Sequence, residues 1–197
     1  MTLLVKDNIM NILTLCGSPR RRGNTATVLL AFERLAGKHH TVERVDVVTQ
    51  DIKGCIGCDN CQKDEHQPAC LQKDDLNHLL QKIIAADLVV YAAPVYVWDF
   101  PAQMKAVIDR HYCLLKWKGG KDKSLVEKKK TMLLTTCGGD AENNADLIRL
   151  IFEREMKYLH CQIVGEFVVP NCTLPSKLGT IKDEIAIKMN EAVLTIS

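Results

Sequence analysis

The chain has 197 residues, of which 47% are hydrophobic and 25% charged, and its formal net charge is +2. A chain of this size and composition suffices for one globular domain, and we expect residues 1–197 to form a single domain. The small net charge gives no support to a nucleic-acid-binding or membrane-attracting face. No apolar run is long enough to span a bilayer, and the short leader at residues 1–6 lacks a signal-peptide pattern, so we expect a cytoplasmic protein.

The N-terminal half alternates short apolar runs with segments whose apolar residues recur at helical spacing. A Gly-Ser-Pro turn ends the first apolar run, and Gly37 ends the first helical segment. Asp74 and Asp75 precede the second helical segment and are suited to cap it. In chain order we predict a strand over 9–15, a helix over 25–36, a strand over 42–48, an irregular cysteine-rich loop over 50–73 and a helix over 76–84.

The C-terminal half continues this alternation. Asp99 and Pro101 mark the start of a helix whose inward face extends to Leu115, and the lysine-rich residues 116–130 predict a loop. In chain order we predict a strand over 88–92, a helix over 101–115, a strand over 132–136, a helix over 143–159, a strand over 163–169 and a helix over 178–196.

The alternation of strands and helices predicts the fold class. Several of the strands are apolar on both faces, which is typical of a parallel sheet covered by helices on both sides. We therefore expect a three-layer, doubly wound α/β domain with a five-stranded parallel sheet. Five strands favour the flavodoxin-like order 2-1-3-4-5, in which ligands bind at the carboxyl ends of the strands.

The loop after the first strand has the residue types of a phosphate site. Its small residues allow an anion to approach the backbone, and the N-terminus of the following helix attracts negative charge. Ser18, Asn24 and Thr25 add polar groups, and Arg20 adds a positive charge. The loop has neither the Walker A pattern nor the dinucleotide-binding pattern. The alternative is a solvated basic turn.

Two further loops follow the third and fourth strands. The first concentrates aromatic residues in a short turn, and the second contains two glycines that permit close approach of a ligand. Their candidate residues are Pro94, Val95, Tyr96, Val97 and Trp98 in the first loop, and Cys137, Gly138, Gly139 and Asp140 in the second. Aromatic faces and backbone amides suit a flat heteroaromatic ring, although the aromatics alone could equally cap the core or an interface. One phosphate loop and two ring loops together indicate FMN.

Several segments between residues 9 and 112 carry a family resemblance. They are Gly-Ser-Pro-Arg with Gly-Asn-Thr, residues 54–61, Cys70 with Asp74 and Asp75, Pro94-Val95-Tyr96, and residues 104–110. Together they resemble the NADPH-dependent FMN reductase superfamily, and within it the iron–sulfur flavoprotein family. The resemblance implies non-covalent FMN and a homodimer or homotetramer. It also implies that Ser18, Arg20, Asn24 and Thr25 hold the phosphate, and that residues 94–98 and 137–140 hold the isoalloxazine.

Four of the nine cysteines are clustered, in the spacing C-x2-C-x2-C-x8-C. Thiolates on a tight loop suit a [4Fe–4S] cluster, which makes Cys55, Cys58, Cys61 and Cys70 the candidate ligands. The final spacer is longer than in the iron–sulfur flavoproteins. The alternatives are zinc, a redox-active pair at Cys55–Cys58 or Cys58–Cys61, and a loop without a metal.

These observations predict an FMN-dependent oxidoreductase. Electrons would come from NAD(P)H or a reduced carrier such as ferredoxin, and would pass to a quinone, a flavin or another acceptor. Because the flavin supplies the chemistry, we name no side chain as a catalytic acid or base. The alternatives are a flavodoxin-type electron-transfer module without its own substrate and a cysteine-based redox or metal sensor.

Overall fold

The structure, a computed structural model, describes residues 9–117, 120 and 122–196, so the predicted leader lies outside the described residues. The strands are β1 (Asn11–Cys16), β2 (Thr41–Asp46), β3 (Leu88–Pro94), β4 (Leu115–Lys116), β5 (Lys123–Ser124), β6 (Lys130–Thr136) and β7 (Gln162–Val169). The helices are α1 (Asn24–Ala36), α2 (Leu76–Ala85), α3 (Ala102–Asp109), α4 (Ala141–Asn144), α5 (Asp146–Tyr158) and α6 (Ile181–Leu194). No helix among the described residues combines the length and apolar character that a bilayer span requires.

Five parallel strands form the central sheet, in the order β2-β1-β3-β6-β7. The predicted order 2-1-3-4-5 is confirmed, since β6 and β7 are the fourth and fifth strands of this sheet. Residues 88–93 are all buried, as expected for a strand with helices on both faces. Helices α1 and α6 pack with one sheet face and α2, α3 and α5 with the other, which completes the three layers.

Three local predictions need correction. Helix α3 ends at Asp109, and Leu115 lies in β4, where it pairs with Ser124 of β5. The lysine-rich segment is therefore not all loop, because β4 and β5 form a short antiparallel pair of two residues each, too short to leave a recognisable pattern. Residues 118, 119 and 121 of that predicted loop lie outside the described residues.

The third correction concerns the helix predicted over 143–159, which is divided at Ala145 into α4 and α5. Asparagine is a weak helix former, and two asparagines precede the break. The carbonyl oxygen of Asn143 accepts a hydrogen bond from Trp98 Nε1 at 3.0 Å. This bond connects α4 to the loop that follows β3.

Candidate functional site

A cleft of about 530 Å³ opens where β1, β3 and β6 end. Four segments contribute its lining: Ser18, Arg20, Arg22, Gly23, Asn24 and Thr25; Pro94, Val95 and Tyr96; Thr136, Cys137 and Gly138; and Cys172, Thr173, Leu174 and Pro175. The first three segments were predicted from the sequence to meet at this edge of the sheet. The cleft therefore brings the predicted phosphate loop together with parts of both predicted ring loops.

The first wall is a tight turn between β1 and α1. The hydroxyl of buried Ser18 donates to the carbonyl oxygen of Arg20 and accepts from its N–H, both at 3.2 Å, and Gly23 N–H donates to the same carbonyl at 2.8 Å. Gly17 packs closely on α3, because a Cβ there would lie 2.7 Å from the Cβ of Met104. Gly23, Asn24 and Thr25 at the start of α1 line the cleft, and the N-terminus of a helix favours an anion.

Two polar side chains at the start of α1 lie at the base of this wall. The Asn24 Oδ1 atom is buried and has no hydrogen-bond partner among the described residues. The hydroxyl of Thr25 lies 2.7 Å from that of Thr136, so it joins the first wall to the end of β6. A buried polar atom without a partner is costly, which makes Asn24 a natural contact for a polar ligand.

The three consecutive arginines of this loop are directed differently. Arg20 and Arg22 line the cleft. Arg21 lies outside its lining and pairs with Asp46 of β2, with 3.7 Å between Nε and Oδ2. No Asp or Glu is among the described residues that line the cleft, so the charged side chains of its wall are cationic. Arg22 was not among the site residues predicted from the sequence.

The second wall is the segment that follows β3. Tyr96 and Asp99 exchange backbone hydrogen bonds of 2.9 and 3.1 Å, which closes a two-residue turn. Its central residues have positive φ, 50° at Val97 and 65° at Trp98, and this is strained for a β-branched valine. The turn leaves Val97 85% and Trp98 52% exposed. Both lie outside the cleft lining, in contrast to Pro94, Val95 and Tyr96.

The third wall is the segment that follows β6. Cys137 and Gly138 line the cleft, whereas Gly139 and Asp140 do not. A Cβ at Gly139 would lie 2.5 Å from Asn144 Nδ2, and Asp140 accepts a hydrogen bond from Asn171 at 3.1 Å. These two residues therefore hold the loop against its neighbours. Burial raises the pKa of the Cys137 thiol, which keeps this part of the lining neutral.

The fourth wall, residues 172–175, was not predicted. The backbone N–H of Cys172 donates to the carbonyl oxygen of Cys137 at 2.8 Å, which fixes this segment beside the third wall. Burial raises the pKa of the Cys172 thiol to about 11. The signal available in the sequence was its position after the fifth strand, at the same edge of the parallel sheet.

The four clustered cysteines line a second, much smaller cavity of about 20 Å³. Cys55 and Cys58 are exposed, Cys70 is half-buried and Cys61 is buried, and all are free thiols. Within the described part of the chain, no group of three or more His, Cys, Asp or Glu side chains is arranged to hold a metal ion. The donor chemistry of the cavity, which these thiols line, fits an iron–sulfur group.

Buried charges and a fifth thiol adjoin this cysteine cavity. Arg110 lines it, and its guanidinium lies 3.1 Å from the sulfur of Cys70. Buried Lys116 donates to the carbonyl oxygen of Cys61 at 2.7 Å. Cys113 also lines the cavity, and its thiol pKa is raised by burial and by the neighbouring thiols of Cys61 and Cys70. No site role was predicted from the sequence for Arg110, Lys116 or Cys113.

Asp74 connects the cysteine cavity to the protein core. Burial alone would raise the pKa of Asp74, but hydrogen bonds from Arg110 and from the backbone N–H groups of Lys53 and Leu76 hold it below its usual range. Asp74 lies one position before the N-cap of α2 and accepts a hydrogen bond from Leu76 N–H at 3.2 Å. The N-cap residue Asp75 makes no side-chain cap bond, so only Asp74 of the two predicted residues bonds through its side chain to the start of α2. Asp74 is therefore an ionised carboxylate at neutral pH.

The family model described as NADPH-dependent FMN reductase matches residues 10–171. An iron–sulfur flavoprotein of Archaeoglobus fulgidus is 36% identical over 102 residues, 51% of this chain and 45% of that protein. An FMN-dependent NADH:quinone oxidoreductase of Bordetella parapertussis is 34% identical over 86 residues, 42% and 40% of the two chains. The chain thus spans about half the length, or less, of these curated relatives. A solved NAD(P)H:quinone oxidoreductase of Methanothermobacter marburgensis shares the fold, with a TM-score of 0.68, 19% identity and 94% coverage of both chains.

Proposed function

The chain belongs to the NADPH-dependent FMN reductase family, and we propose that it is an FMN-dependent oxidoreductase. It would take electrons from NAD(P)H or from a reduced carrier such as ferredoxin, and pass them to a quinone, a flavin or another acceptor. Bound FMN supplies the redox chemistry, while the protein sets its position and electrostatic surroundings. The observation that carries this proposal is the cleft, which joins a cationic, N–H-rich end to a neutral end formed by two loops.

The cationic end of the cleft is assigned to the FMN phosphate. Ser18, Asn24 and Thr25 provide polar side chains there, and Arg20 and Arg22 provide positive charge. Rotation of the Asn24 amide by 180° exchanges its unpartnered oxygen for an N–H2 donor, which is the group that a phosphate oxygen requires. The N-terminus of α1 adds backbone donors and a favourable dipole.

The neutral end is assigned to the isoalloxazine. Pro94, Val95 and Tyr96 form one side, and Cys137 and Gly138 form the other. The remaining predicted ring residues, Val97, Trp98, Gly139 and Asp140, are assigned to shaping these two loops. No side chain of the lining is assigned as a proton donor, because the proposed chemistry needs none from the protein.

The direct test is binding of FMN and riboflavin to the apoprotein, followed by turnover. We expect FMN to bind more tightly than riboflavin, since only FMN carries the phosphate. The loaded protein should oxidise NADH or NADPH when a quinone or free flavin is supplied. An apoprotein that binds neither flavin would refute the proposal. Tight FMN binding with a stable one-electron state and no NAD(P)H turnover would favour the flavodoxin-type alternative.

A [4Fe–4S] cluster on Cys55, Cys58, Cys61 and Cys70 is the finer part of the proposal. It is supported by the thiols sharing one cavity, by the preference of such clusters for cysteine, and by the relative named as an iron–sulfur flavoprotein. Anaerobic, iron-replete protein should carry about four irons and four sulfides per chain. Replacing Cys55, Cys58 and Cys61 by Ser should abolish loading and leave FMN in place. FMN-loaded parent protein without iron would refute the cluster, and bound zinc would favour the sensor alternative.

A homodimer or homotetramer is also proposed, with the exposed turn at Val97 and Trp98 near the interface. Exposed apolar side chains at the rim of a ligand cleft are favourably covered by a second subunit. Light scattering should give a mass of two or four chains. A monomer across micromolar concentrations would refute this assignment.

A further inference from the structure

The cysteine cavity presents more thiols than a [4Fe–4S] cluster uses. Cys55, Cys58 and Cys61 lie on one tight loop, and both Cys70 and Cys113 face the same cavity as possible fourth ligands. The spacing of the cysteines in the sequence does not show whether Cys70 or Cys113 is the fourth ligand. Cys70 follows a long spacer, and Cys113 lies further along the chain, after α3.

Arg110 distinguishes these two thiols. The residue is 1% exposed, and its Nη2 lies 3.0 Å from Asp74 Oδ1 and 3.1 Å from Cys70 Sγ. Its Nη1 donates to the other oxygen of Asp74 and, at 3.0 Å, to the carbonyl oxygen of Lys53. The two-point contact with Asp74 and the Lys53 bond fix the plane of the guanidinium, so the donor aimed at Cys70 is held in place.

The same contacts fix the whole cysteine loop. Lys53 lies just before Cys55, and Asp74 lies just after Cys70, so Arg110 ties both ends of the loop to one buried cation. Asp74 also accepts the backbone N–H of Lys53 at 3.1 Å, which closes the base of the loop. Arg110 and its partners therefore fix the separation between the two ends of the cysteine loop.

The arrangement also provides charge compensation. A cluster with four thiolate ligands is an anion, and burying it is costly unless a cation or hydrogen bonds offset the charge. Arg110 is permanently charged, and its Nε has no hydrogen-bond partner among the described residues, so its capacity to donate is not exhausted. Cys113, 3% exposed, has the thiols of Cys61 and Cys70 as its neighbours in the cavity.

We propose that Arg110 is a positioning residue that selects Cys70, and not Cys113, as the fourth thiolate ligand of the cluster. The inference rests on the cluster part of the proposed function. Because hydrogen bonds to the ligand sulfurs and nearby positive charge raise a cluster's reduction potential, Arg110 also sets the potential above that of an uncompensated site.

The test compares Cys70→Ala with its matched control Cys113→Ala, and adds the double variant Asp74→Asn/Arg110→Gln. The double variant removes both buried charges together and so leaves neither unpaired. Each protein is reconstituted anaerobically with iron and sulfide. Iron, sulfide and FMN are then counted per chain, and the cluster potential is measured by a redox titration followed by electron paramagnetic resonance.

We expect Cys113→Ala to load as much iron as the parent and Cys70→Ala to lose the four-iron cluster. The double variant should keep FMN, load less iron and titrate at a lower potential. Loss of the cluster in Cys113→Ala but not in Cys70→Ala would overturn the selection of Cys70. Full iron at an unchanged potential in the double variant would overturn the role of Arg110. A parent protein that binds FMN but takes up no iron would refute the cluster itself, and this inference with it.

Discussion

Replacing Asn24 by Ala should change the stability of the apoprotein and its affinity for FMN in opposite directions. In the apoprotein the variant removes a buried oxygen that has no hydrogen-bond partner, and it places a better helix former at the start of α1. Leaving a buried polar atom unsatisfied costs about 1–3 kcal/mol, so we expect unfolding of the variant apoprotein to require about 1 kcal/mol more.

The affinity of the variant for FMN should instead be lower than that of the parent. The variant loses one hydrogen bond to a charged phosphate, a contact that contributes about 1.5–3 kcal/mol. At 1.4 kcal/mol per factor of ten, the Kd for FMN should rise about 10- to 100-fold. Riboflavin, which lacks the phosphate, should bind parent and variant alike. At FMN concentrations well above both Kd values, the variant should therefore become the less stable of the two proteins.

The assay is thermal unfolding of parent and variant without and with FMN, together with a fluorescence titration of FMN and riboflavin. The matched control is Thr27→Ala on the same helix, since Thr27 donates to the carbonyl oxygen of Gly23 at 2.9 Å and lies outside the cleft lining. The control should lose apoprotein stability and keep its FMN affinity. An Asn24→Ala apoprotein that is less stable than the parent, with an unchanged Kd for FMN, would refute the reasoning.

Three further predictions concern other parts of the molecule. Arg20→Ala and Arg22→Ala should each raise the Kd for FMN about tenfold at low salt, whereas the control Arg21→Ala should not; equal Kd values in a titration of all three would contradict the assignment. Val97→Gly should raise the melting temperature by about 2–4 °C, because glycine removes the cost of a β-branched residue at φ 50°. An unchanged or lower melting temperature by calorimetry would show that Val97 is not strained. The folded-state pKa of Asp74 lies below its usual 3.8, so its ionisation stabilises the fold above that value and this contribution is lost as the pH falls through the folded-state pKa. In urea unfolding between pH 5 and pH 2, Asp74→Asn should be less stable than the parent at pH 5 and less sensitive to acid, and parallel pH profiles would contradict this.

The sheet order could be predicted because its determinants are local. Strands β1 and β3 are mainly apolar and β6 has an apolar centre, whereas β2 mixes apolar and polar residues. The strands alternate with segments of helical periodicity, which is typical of parallel crossovers. The same rule placed the first three walls of the cleft at the carboxyl ends of strands. It applies equally to residues 172–175, which follow β7, so the position of the fourth wall could also be predicted from the sequence.

Other features could not be predicted, because they depend on contacts between residues far apart in the chain. The contact of Arg110 with Cys70 joins residues 40 positions apart, and neither residue type reveals its partner. Trp98 was predicted to hold a flavin ring, and the structure places it outside the cleft lining, in an exposed turn with positive φ at Val97 and Trp98. An aromatic-rich loop indicates a candidate site, but its sequence does not show which of its residues line the cleft.

The four-segment construction of the cleft has a consequence for folding. Its walls come from residues 18–25, 94–96, 136–138 and 172–175, so they meet only after β1, β3, β6 and β7 have paired. A growing polypeptide would acquire the complete cleft only when residue 175 is available to fold, and a shorter chain would lack the last wall. A ligand that needs all four walls stabilises the whole sheet at once, by about 2.7 kcal/mol at a concentration of 100 times its Kd.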